Sequence, residues 1–207
     1  MFQELSIKEF LKRTASDSTV PGGGSVAALS AALAAALTEM AANLTIGKKK
    51  YKAVEDEMKA LAKEASRYRE KLLWDADRDS EAYNQVMAGY SLPKNTDEEK
   101  NIRNEAVQKG LKAAASVPLD VAKDAFRIME LAEKAARDGN KNTVTDAAVA
   151  VMTARSAALS ALYNVRTNLK QITDNRFVEE IAAQISGLED SIERKEKEIL
   201  SAIYTRQ

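Results

Sequence analysis

Residues 54–90 read VEDEMKALAKEASRYREKLLWDADRDSEAYNQVMAGY, and their apolar side chains recur at intervals of three and four residues. The recurring positions are Val54, Met58, Leu61, Ala65, Tyr68, Leu72, Ala76, Tyr83, Val86 and Tyr90. One face of an α-helix is occupied at this spacing, so the segment predicts one long amphipathic helix. Asp79 stands on the same stripe, between Ala76 and Tyr83, where the pattern would place an apolar residue.

The composition extends this prediction to the rest of the chain. Apolar residues make up 45% of the 207 residues but aromatic residues only 5%, so Ala, Leu, Val, Ile and Met must fill the interior. Such side chains suit closely packed helices better than sheets. Eight glycines and three prolines are too few for the many reversals of an all-β fold. We therefore expect an all-α protein, an up-and-down bundle of five to seven helices formed by residues 1–207 as a single domain.

Capping residues predict where the first two helices start. Ser6 with Glu9 forms a capping box, which predicts a short helix from about Ile7. Ser25 is expected to cap a second, alanine-rich helix that continues to about Thr45.

Breaks and turns divide the second half of the chain. Thr96 with Glu99 forms another capping box, and the helix that it starts is expected to bend or break at Pro118. A further helix is expected over 119–138, and a polar turn leads into another over 144–169. The last helix carries a seam like that of a coiled coil. The seam consists of Phe177, Ile181, Leu188, Ile192, Ile199 and Ile203.

The charge and the missing residue types narrow the function. Lys+Arg and Asp+Glu both number 31, so no net charge would attract nucleic acid or an acidic membrane. The chain contains no cysteine and no histidine, which excludes thiol nucleophiles, histidine bases and the usual zinc ligand sets. We therefore expect no metal site and no nucleic acid partner. Catalysis would rest on carboxylates, lysines, amides and hydroxyls.

No targeting or membrane segment is predicted. Residues 1–10 lack the basic-then-apolar pattern of a secretory signal. The longest apolar stretch, Val26 to Leu37, contains Ser30 and is shorter than the ~20 residues of a membrane span. We therefore expect a cytoplasmic protein without a membrane partner.

Asp79 is the most informative single residue. A carboxylate on an apolar helix face must be hydrogen-bonded, paired with a cation or shifted in pKa, and such positions are enriched in active sites. A structural salt bridge with Arg78 or with a lysine of another helix would explain the same pattern.

A second polar pattern follows one face of the helix over 144–169. Asp146, Asn164 and Asn168 lie on this face with small residues between them, which would suit a shallow cleft. The same residues would also suit close contact between two helices, with the amides bonded to a neighbour.

Two further segments offer groups for ligand binding. Pro21, Gly22, Gly23, Gly24 and Ser25 lead into a helix, whose free N–H groups could receive a carbonyl or an anion. A flexible turn that allows tight packing is the alternative. The cluster over 48–50 follows a helix C-terminus, so three lysines there could bind a polycarboxylate or simply be solvated.

Together these segments resemble one family, the helical domain shared by methenyltetrahydrofolate cyclohydrolase and formiminotetrahydrofolate cyclodeaminase. The similar segments occur in order along nearly the whole chain. They are Pro21-Gly22-Gly23-Gly24-Ser25, Leu44-Thr45-Ile46-Gly47-Lys48-Lys49, Asp79-Ser80-Glu81-Ala82-Tyr83, Leu92-Pro93-Lys94-Asn95-Thr96, Val117-Pro118-Leu119, Gly139-Asn140 with Asp146, and Tyr163-Asn164-Val165 with Asn168-Leu169.

The resemblance implies a folate enzyme that works as a homodimer without a metal or redox cofactor. The cyclohydrolase opens the 5,10-methenyl bridge of tetrahydrofolate with water and forms 10-formyltetrahydrofolate. The cyclodeaminase closes a 5-formimino group onto N10 and expels ammonia. Both reactions pass through a tetrahedral carbon between N5 and N10, so one site can serve either.

The resemblance also suggests a role for each matching residue. Asp79 is the first candidate for the carboxylate that faces the cationic bridge and activates water, and Asp146 is the second. Lys48 or Lys49 would transfer a proton at a ring nitrogen. The glycine turn and the polar residues of the other motifs are expected to bind the substrate. These polar residues are Lys94, Asn95, Asn140, Asn164 and Asn168.

Three functions remain open at this point. The cyclodeaminase is often fused to a formiminotransferase domain, and 207 residues are too few to contain one, which favours the cyclohydrolase. The third possibility is an inactive helical interaction module, in which the seam of the last helix would be a partner surface.

Overall fold

The structure, a computed structural model, describes residues 1–203 in full and the backbone of residue 204. The last three positions of the predicted domain, 205–207, lie outside this part of the chain. The described residues form six α-helices and no strand, which confirms the predicted all-α bundle. The helices are α1 (Ile7–Thr14), α2 (Gly23–Asn43), α3 (Glu55–Tyr90), α4 (Asp97–Asp138), α5 (Val144–Leu169) and α6 (Asn175–Tyr204).

Helices α2 to α5 form an antiparallel ring. Each packs against the next, and α5 closes the ring by packing against α2. Short connections link successive helices, so the chain runs up and down through the bundle. α6 lies outside the ring against α4 and α5. The core is rich in alanine, as the composition predicts, and α2 and α5 supply many of its fully buried alanines.

Several predicted helix ends are confirmed. Ser6 accepts a hydrogen bond from the backbone of Glu9 at the start of α1, and Thr96 with Glu99 forms a complete capping box at the start of α4. The start of α2 differs from the prediction, because the helix begins two residues before Ser25 and Gly22 occupies the cap position. Ser25 is therefore free to bond a neighbouring helix.

The predicted break at Pro118 is wrong. α4 continues through Pro118 as one helix of 42 residues. A proline inside a helix leaves the carbonyl four residues earlier without its usual N–H donor. Here that carbonyl belongs to Ala114, and it accepts a hydrogen bond from the side-chain amide of Asn168 at 2.7 Å. This contact replaces the missing helical bond and explains why the helix continues.

The seam of α6 packs against its own bundle. Ile181, Ile192, Ile199 and Ile203 are buried in the core cluster, and Phe177 packs against the same cluster. An exposed apolar seam would be needed to bind a partner, so the seam does not provide the surface that an interaction module would use.

By length and mean hydropathy alone, α2 is long and apolar enough to cross a membrane. From the sequence, no stretch of this length was expected. The alanine-rich stretch continues past Leu37 in one helix of 21 residues. Of the most apolar 18-residue stretch of this helix, 56% is buried inside the bundle. α2 therefore contributes to the core of the bundle.

Candidate functional site

A cleft of about 250 Å³ opens at the end of the bundle where α2 begins. Its walls come from the turn before α2, the first turn of α2, the last third of α3, the middle of α4 and the last turns of α5. The residues that line it are Thr19, Val20, Gly22, Gly23, Gly24, Asp79, Tyr83, Ala114, Asn164, Thr167 and Asn168. Six residues predicted for the site are among them, namely three glycines, Asp79, Asn164 and Asn168.

Asp79 projects from α3 to the first turn of α2. Its carboxylate accepts a hydrogen bond from the Ser25 hydroxyl at 2.9 Å, and the backbone N–H of Ser25 donates to the same carboxylate. Burial raises the pKa of Asp79 above its ordinary value, and these two bonds from Ser25 offset part of the rise. The carboxylate therefore caps α2 from a neighbouring helix while it lines the cleft.

The salt bridge considered for Asp79 is not formed. Arg78 pairs with the buried Asp75 at 2.7 Å, on a different face of α3. Within residues 1–203, no lysine or arginine forms an ion pair with Asp79. A half-buried carboxylate without a paired cation is suited to stabilise a cationic ligand.

The position of the Asp79 carboxylate requires a glycine at residue 24. A side chain at Gly24 would place its Cβ 2.1 Å from Oδ1 of Asp79, which is far inside van der Waals contact. The adjacent Gly23 faces Asn164, where a Cβ would lie 3.5 Å from the amide nitrogen. Pro21 and Ser25 are buried and do not line the cleft, so they shape the turn from behind.

The two amides of α5 are held by backbone carbonyls. Asn164 donates to the carbonyl of Ser160 at 2.9 Å, and Asn168 donates to that of Ala114 at 2.7 Å. Both side chains are half-buried on the cleft wall. Each amide is thus anchored through its nitrogen, and its oxygen remains available to a ligand.

Four of the predicted site residues lie at the opposite end of the bundle. Lys48 and Lys49 follow α2, which is 21 residues or about 30 Å long. Asp146 precedes Asn164 by 18 residues on α5, which corresponds to about 27 Å. Asn140 is buried beside these residues, where it bonds the carbonyl of Leu44.

This separation means that one chain does not gather the whole predicted site. The alanines between Asp146 and Asn164 on the predicted polar face, Ala150, Ala157 and Ala161, are fully or almost fully buried. The middle of that face is therefore a helix contact, and the shallow cleft expected along its length is absent. The catalytic roles of Asp146, Lys48 and Lys49 stay predictions.

Lys94 and Asn95 lie in the exposed connection between α3 and α4. This connection is at the cleft end of the bundle, because Tyr90 at the end of α3 bonds Gln171 just after α5 at 3.0 Å. Neither Lys94 nor Asn95 lines the cleft itself. Their binding roles stay predictions, and an extended substrate would have to reach them over the rim.

The structure adds cleft residues that the sequence patterns did not identify. Tyr83 lies one helical turn after Asp79, so the spacing of four residues could have predicted that both side chains face the same cleft. Thr167 lies three residues after the predicted Asn164 and had the same kind of signal. Thr19, Val20 and Ala114 had none, because only packing brings them to the cleft. Among the described residues, no group of three carboxylates is placed to hold a metal ion.

Residues 6–187 match the family described as formiminotransferase-cyclodeaminase. The chain is 43% identical over 183 residues to a protein of Methylorubrum extorquens named methenyltetrahydrofolate cyclohydrolase, and the match covers 88% of each chain. It is 31% identical to the formimidoyltransferase-cyclodeaminase of Rattus norvegicus, over 99% of this chain and 38% of that protein. This chain therefore spans well under half the length of the rat protein.

A solved structure has the same fold. The formiminotetrahydrofolate cyclodeaminase of Thermotoga maritima superposes with a TM-score of 0.79 and is 35% identical. The superposition covers 97% of this chain and all of the other. The similarity thus extends across the bundle, including both ends of α2.

Proposed function

This chain belongs to the formiminotransferase-cyclodeaminase family, and from that premise we propose that it is the enzyme that hydrolyses 5,10-methenyltetrahydrofolate to 10-formyltetrahydrofolate. The observation that carries the proposal is Asp79, a half-buried carboxylate without a paired cation on the wall of a cleft that also holds two anchored amides. The 43% identity to the protein named methenyltetrahydrofolate cyclohydrolase supports it.

The cleft suits the charge of the substrate. The methenyl bridge joins N5 and N10 as an amidinium-like cation, and a carboxylate in a partly water-excluded site stabilises such a cation strongly. Asp79 would lie beside the bridge carbon. The amide oxygens of Asn164 and Asn168 would accept hydrogen bonds from N–H groups of the pterin ring.

The reaction is a proton-balanced hydrolysis. Asp79 takes a proton from a water molecule while the oxygen of that water bonds to the bridge carbon. The bridge carbon becomes tetrahedral and carries a hydroxyl group. Asp79 then returns this proton to N5 as the carbon–N5 bond breaks. The hydroxyl proton leaves to solvent, and the formyl group stays on N10. No oxidation state changes, so the proposal includes no redox cofactor, and no step calls on a metal.

A direct assay tests the function. The purified protein is mixed with 5,10-methenyltetrahydrofolate near neutral pH, and the loss of its near-ultraviolet absorbance is compared with the spontaneous rate. We expect rapid, enzyme-dependent loss. The Asp190→Asn variant is a matched control, because Asp190 is an exposed carboxylate on α6 away from the cleft. No acceleration by the wild-type protein would refute cyclohydrolase activity.

Cyclodeaminase activity is the second candidate. The Thermotoga maritima structure named as a cyclodeaminase covers 97% of this chain at 35% identity, so the shared fold is compatible with either reaction. Release of ammonia from 5-formiminotetrahydrofolate, measured on the same sample, distinguishes this function from the first.

We also propose a homodimer built on α2 and α5. α2 exposes a row of apolar side chains along its whole length, and α5 beside it exposes more. The row on α2 is Val26, Leu33 and Met40, with Leu44 directly after the helix, and that on α5 is Val149, Met152 and Tyr163. Contiguous exposed apolar surface of this kind indicates a protein interface. A second copy, related by a two-fold axis, is the proposed occupant.

The homodimer would complete the site. If the two copies of α2 pack antiparallel, the glycine turn of one copy lies near Lys48 and Lys49 of the other. The separation of the predicted site residues over about 30 Å of α2 supports this arrangement. Each cleft would then combine Asp79 of one subunit with a lysine of its neighbour. More than half of α2, the one described helix apolar enough to cross a membrane, is buried inside the bundle. We therefore propose that the homodimer works in the cytoplasm.

Mixed dimers test the shared site. Asp79→Asn and the double variant Lys48→Ala with Lys49→Ala are co-expressed with different affinity tags, and the hybrid dimer is purified through both tags. One of its two clefts would be intact, so we expect about half of the wild-type turnover, while each parent dimer is nearly inactive. A hybrid as inactive as its parents would refute the shared site.

A further inference from the structure

Pro118 and Asn168 form a contact that joins α4 to the cleft. Pro118 is buried in the interior of α4 and has no backbone N–H, so it cannot bond the carbonyl of Ala114. The amide nitrogen of Asn168 lies 2.7 Å from that carbonyl oxygen and takes the place of the missing donor.

This contact determines which end of the amide faces the ligand. A carbonyl oxygen can only accept, so the end of the Asn168 side chain that bonds Ala114 must be the NH₂ group. The oxygen of the same amide is then the free end. Among residues 1–203, none donates a hydrogen bond to this oxygen, and Asn168 is half-buried on the cleft wall.

The backbone around Asn168 is held by the same part of α4. Gln108 donates to the carbonyl of Gln171 at 3.0 Å and accepts from the backbone N–H of Thr173 at 2.9 Å. Lys112 pairs with Asp174 at 2.7 Å. These contacts fasten the connection after α5 to α4 close to the bond between Asn168 and Ala114.

We propose that Pro118 is a positioning residue that orients the Asn168 amide, so that Asn168 presents only a hydrogen-bond acceptor to the substrate. The acceptor matches an N–H group on the edge of a reduced pterin, and it would not match a carbonyl group at the same place. The identity of the ligand rests on the proposed function, whereas the orientation of the amide does not.

A double-mutant cycle tests the coupling. Pro118→Ala restores a backbone N–H that can bond Ala114 and compete with the Asn168 amide for the same carbonyl, so the amide is held less firmly. We expect the KM for 5,10-methenyltetrahydrofolate to rise about three- to tenfold, the scale of one hydrogen bond, with little change in kcat. Asn168→Ala should have a similar effect in the wild-type protein and a smaller one when Pro118→Ala is already present.

Two controls separate this role from a purely structural one. Ser116→Ala removes a side-chain bond to Lys112 on the same helix without adding an N–H at position 118, and it should leave KM unchanged. Far-ultraviolet circular dichroism of Pro118→Ala should match that of the wild type, because alanine is a better helix former than proline and α4 already continues through position 118. Equal effects of Asn168→Ala in both backgrounds, or an unchanged KM in Pro118→Ala, would overturn the proposal.

A measurement without substrate separates the two proposals. Hydrogen exchange of the Asn168 side-chain NH₂, assigned by comparison with Asn168→Ala, should be slower in the wild type than in Pro118→Ala. If this holds while the wild-type protein has no turnover, the amide orientation is supported and the proposed function fails. If turnover is normal and the exchange rates of the two proteins are equal, the orientation by Pro118 is refuted.

Discussion

At the residue scale, Asp79 has two roles that a substitution can separate. It caps α2 through Ser25, and it offers a carboxylate to the cleft. An asparagine can still accept the bond from Ser25, but it cannot take a proton from water.

We expect Asp79→Asn to lower kcat about 100-fold or more while the fold is unchanged or more stable. The neutral amide avoids the desolvation that raises the pKa of the Asp79 carboxyl. Steady-state kinetics and thermal unfolding measure the two effects, with Asp190→Asn as control. Near-normal turnover would remove Asp79 from the mechanism.

The raised pKa of Asp79 predicts a pH dependence. Proton abstraction needs the carboxylate, so kcat/KM should fall as pH is lowered through the raised pKa. Ser25→Ala removes a bond that lowers this pKa, so the fall should then begin at higher pH. A profile that Ser25→Ala does not move would argue that another group limits the rate.

The same shift has a defined effect on stability. The pKa of Asp79 is higher in the folded state than in the unfolded state. At pH values between these two pKa values, the folded state therefore binds more protons than the unfolded state. Stability from this group therefore increases as pH falls through the folded-state pKa. The stability advantage of Asp79→Asn should be complete above that pKa and should disappear below the unfolded value.

Two glycine substitutions provide a matched comparison. Gly24→Ala places a Cβ 2.1 Å from Asp79, so the carboxylate must move, and we expect loss of both stability and turnover. Gly187→Ala, on α6, meets no atom within 4 Å, and it should stabilise the protein by about 0.4–1 kcal/mol without changing turnover. Equal effects of the two substitutions on turnover would contradict the cleft geometry.

At the scale of the elements, the packing of α6 distinguishes an enzyme from an interaction module that would bind a partner through this helix. Ile192 is fully buried against the bundle, so Ile192→Ala should destabilise the protein by about 2–5 kcal/mol. Lys197→Ala, an exposed change on the same helix, should have little effect. Thermal or urea unfolding measures both. A stable Ile192→Ala variant would show that the seam is not part of the core.

α4 demonstrates at this scale how a local rule is overridden. Pro118 predicts a helix break because it lacks an N–H, and the rule considers only the helix itself. In the bundle, Asn168 of α5 bonds the carbonyl that Pro118 leaves free. The helix continues because a neighbouring element supplies the missing donor.

At the scale of the whole molecule, the exposed face of α2 and α5 predicts the oligomeric state. Leu33 is 54% exposed at the centre of α2, and Leu33→Glu should convert the homodimer to monomers with little turnover. Ile102→Glu changes an equally exposed apolar residue on α4 and should leave a dimer. Analytical ultracentrifugation measures the mass. A wild-type monomer with full turnover would refute both the dimer and the shared site.

The features that depend on local interactions could be predicted from the amino-acid sequence. The 3-and-4 spacing of α3, the N-cap at Ser6, the capping box at Thr96 and the bounds of α5 were predicted correctly, because hydrogen bonds and periodicity within a few residues control them. At Ser6 only half of the predicted capping box forms, and the side chain of Glu9 bonds Arg13 instead. The position of Asp79 on an apolar stripe likewise identified a residue that lies on the wall of the cleft, because a carboxylate at such a position needs a polar environment.

Which distant residues meet could not be predicted, because it depends on how the helices pack. This packing paired Ser25 with Asp79 and Asn168 with the carbonyl that Pro118 leaves free, across 54 positions of the chain in each case. It also placed Asp146 and Lys48 at the far end of α2 from Asp79. The physical reason is that a helix carries neighbouring motifs apart by about 1.5 Å per residue, while packing between helices brings distant ones together.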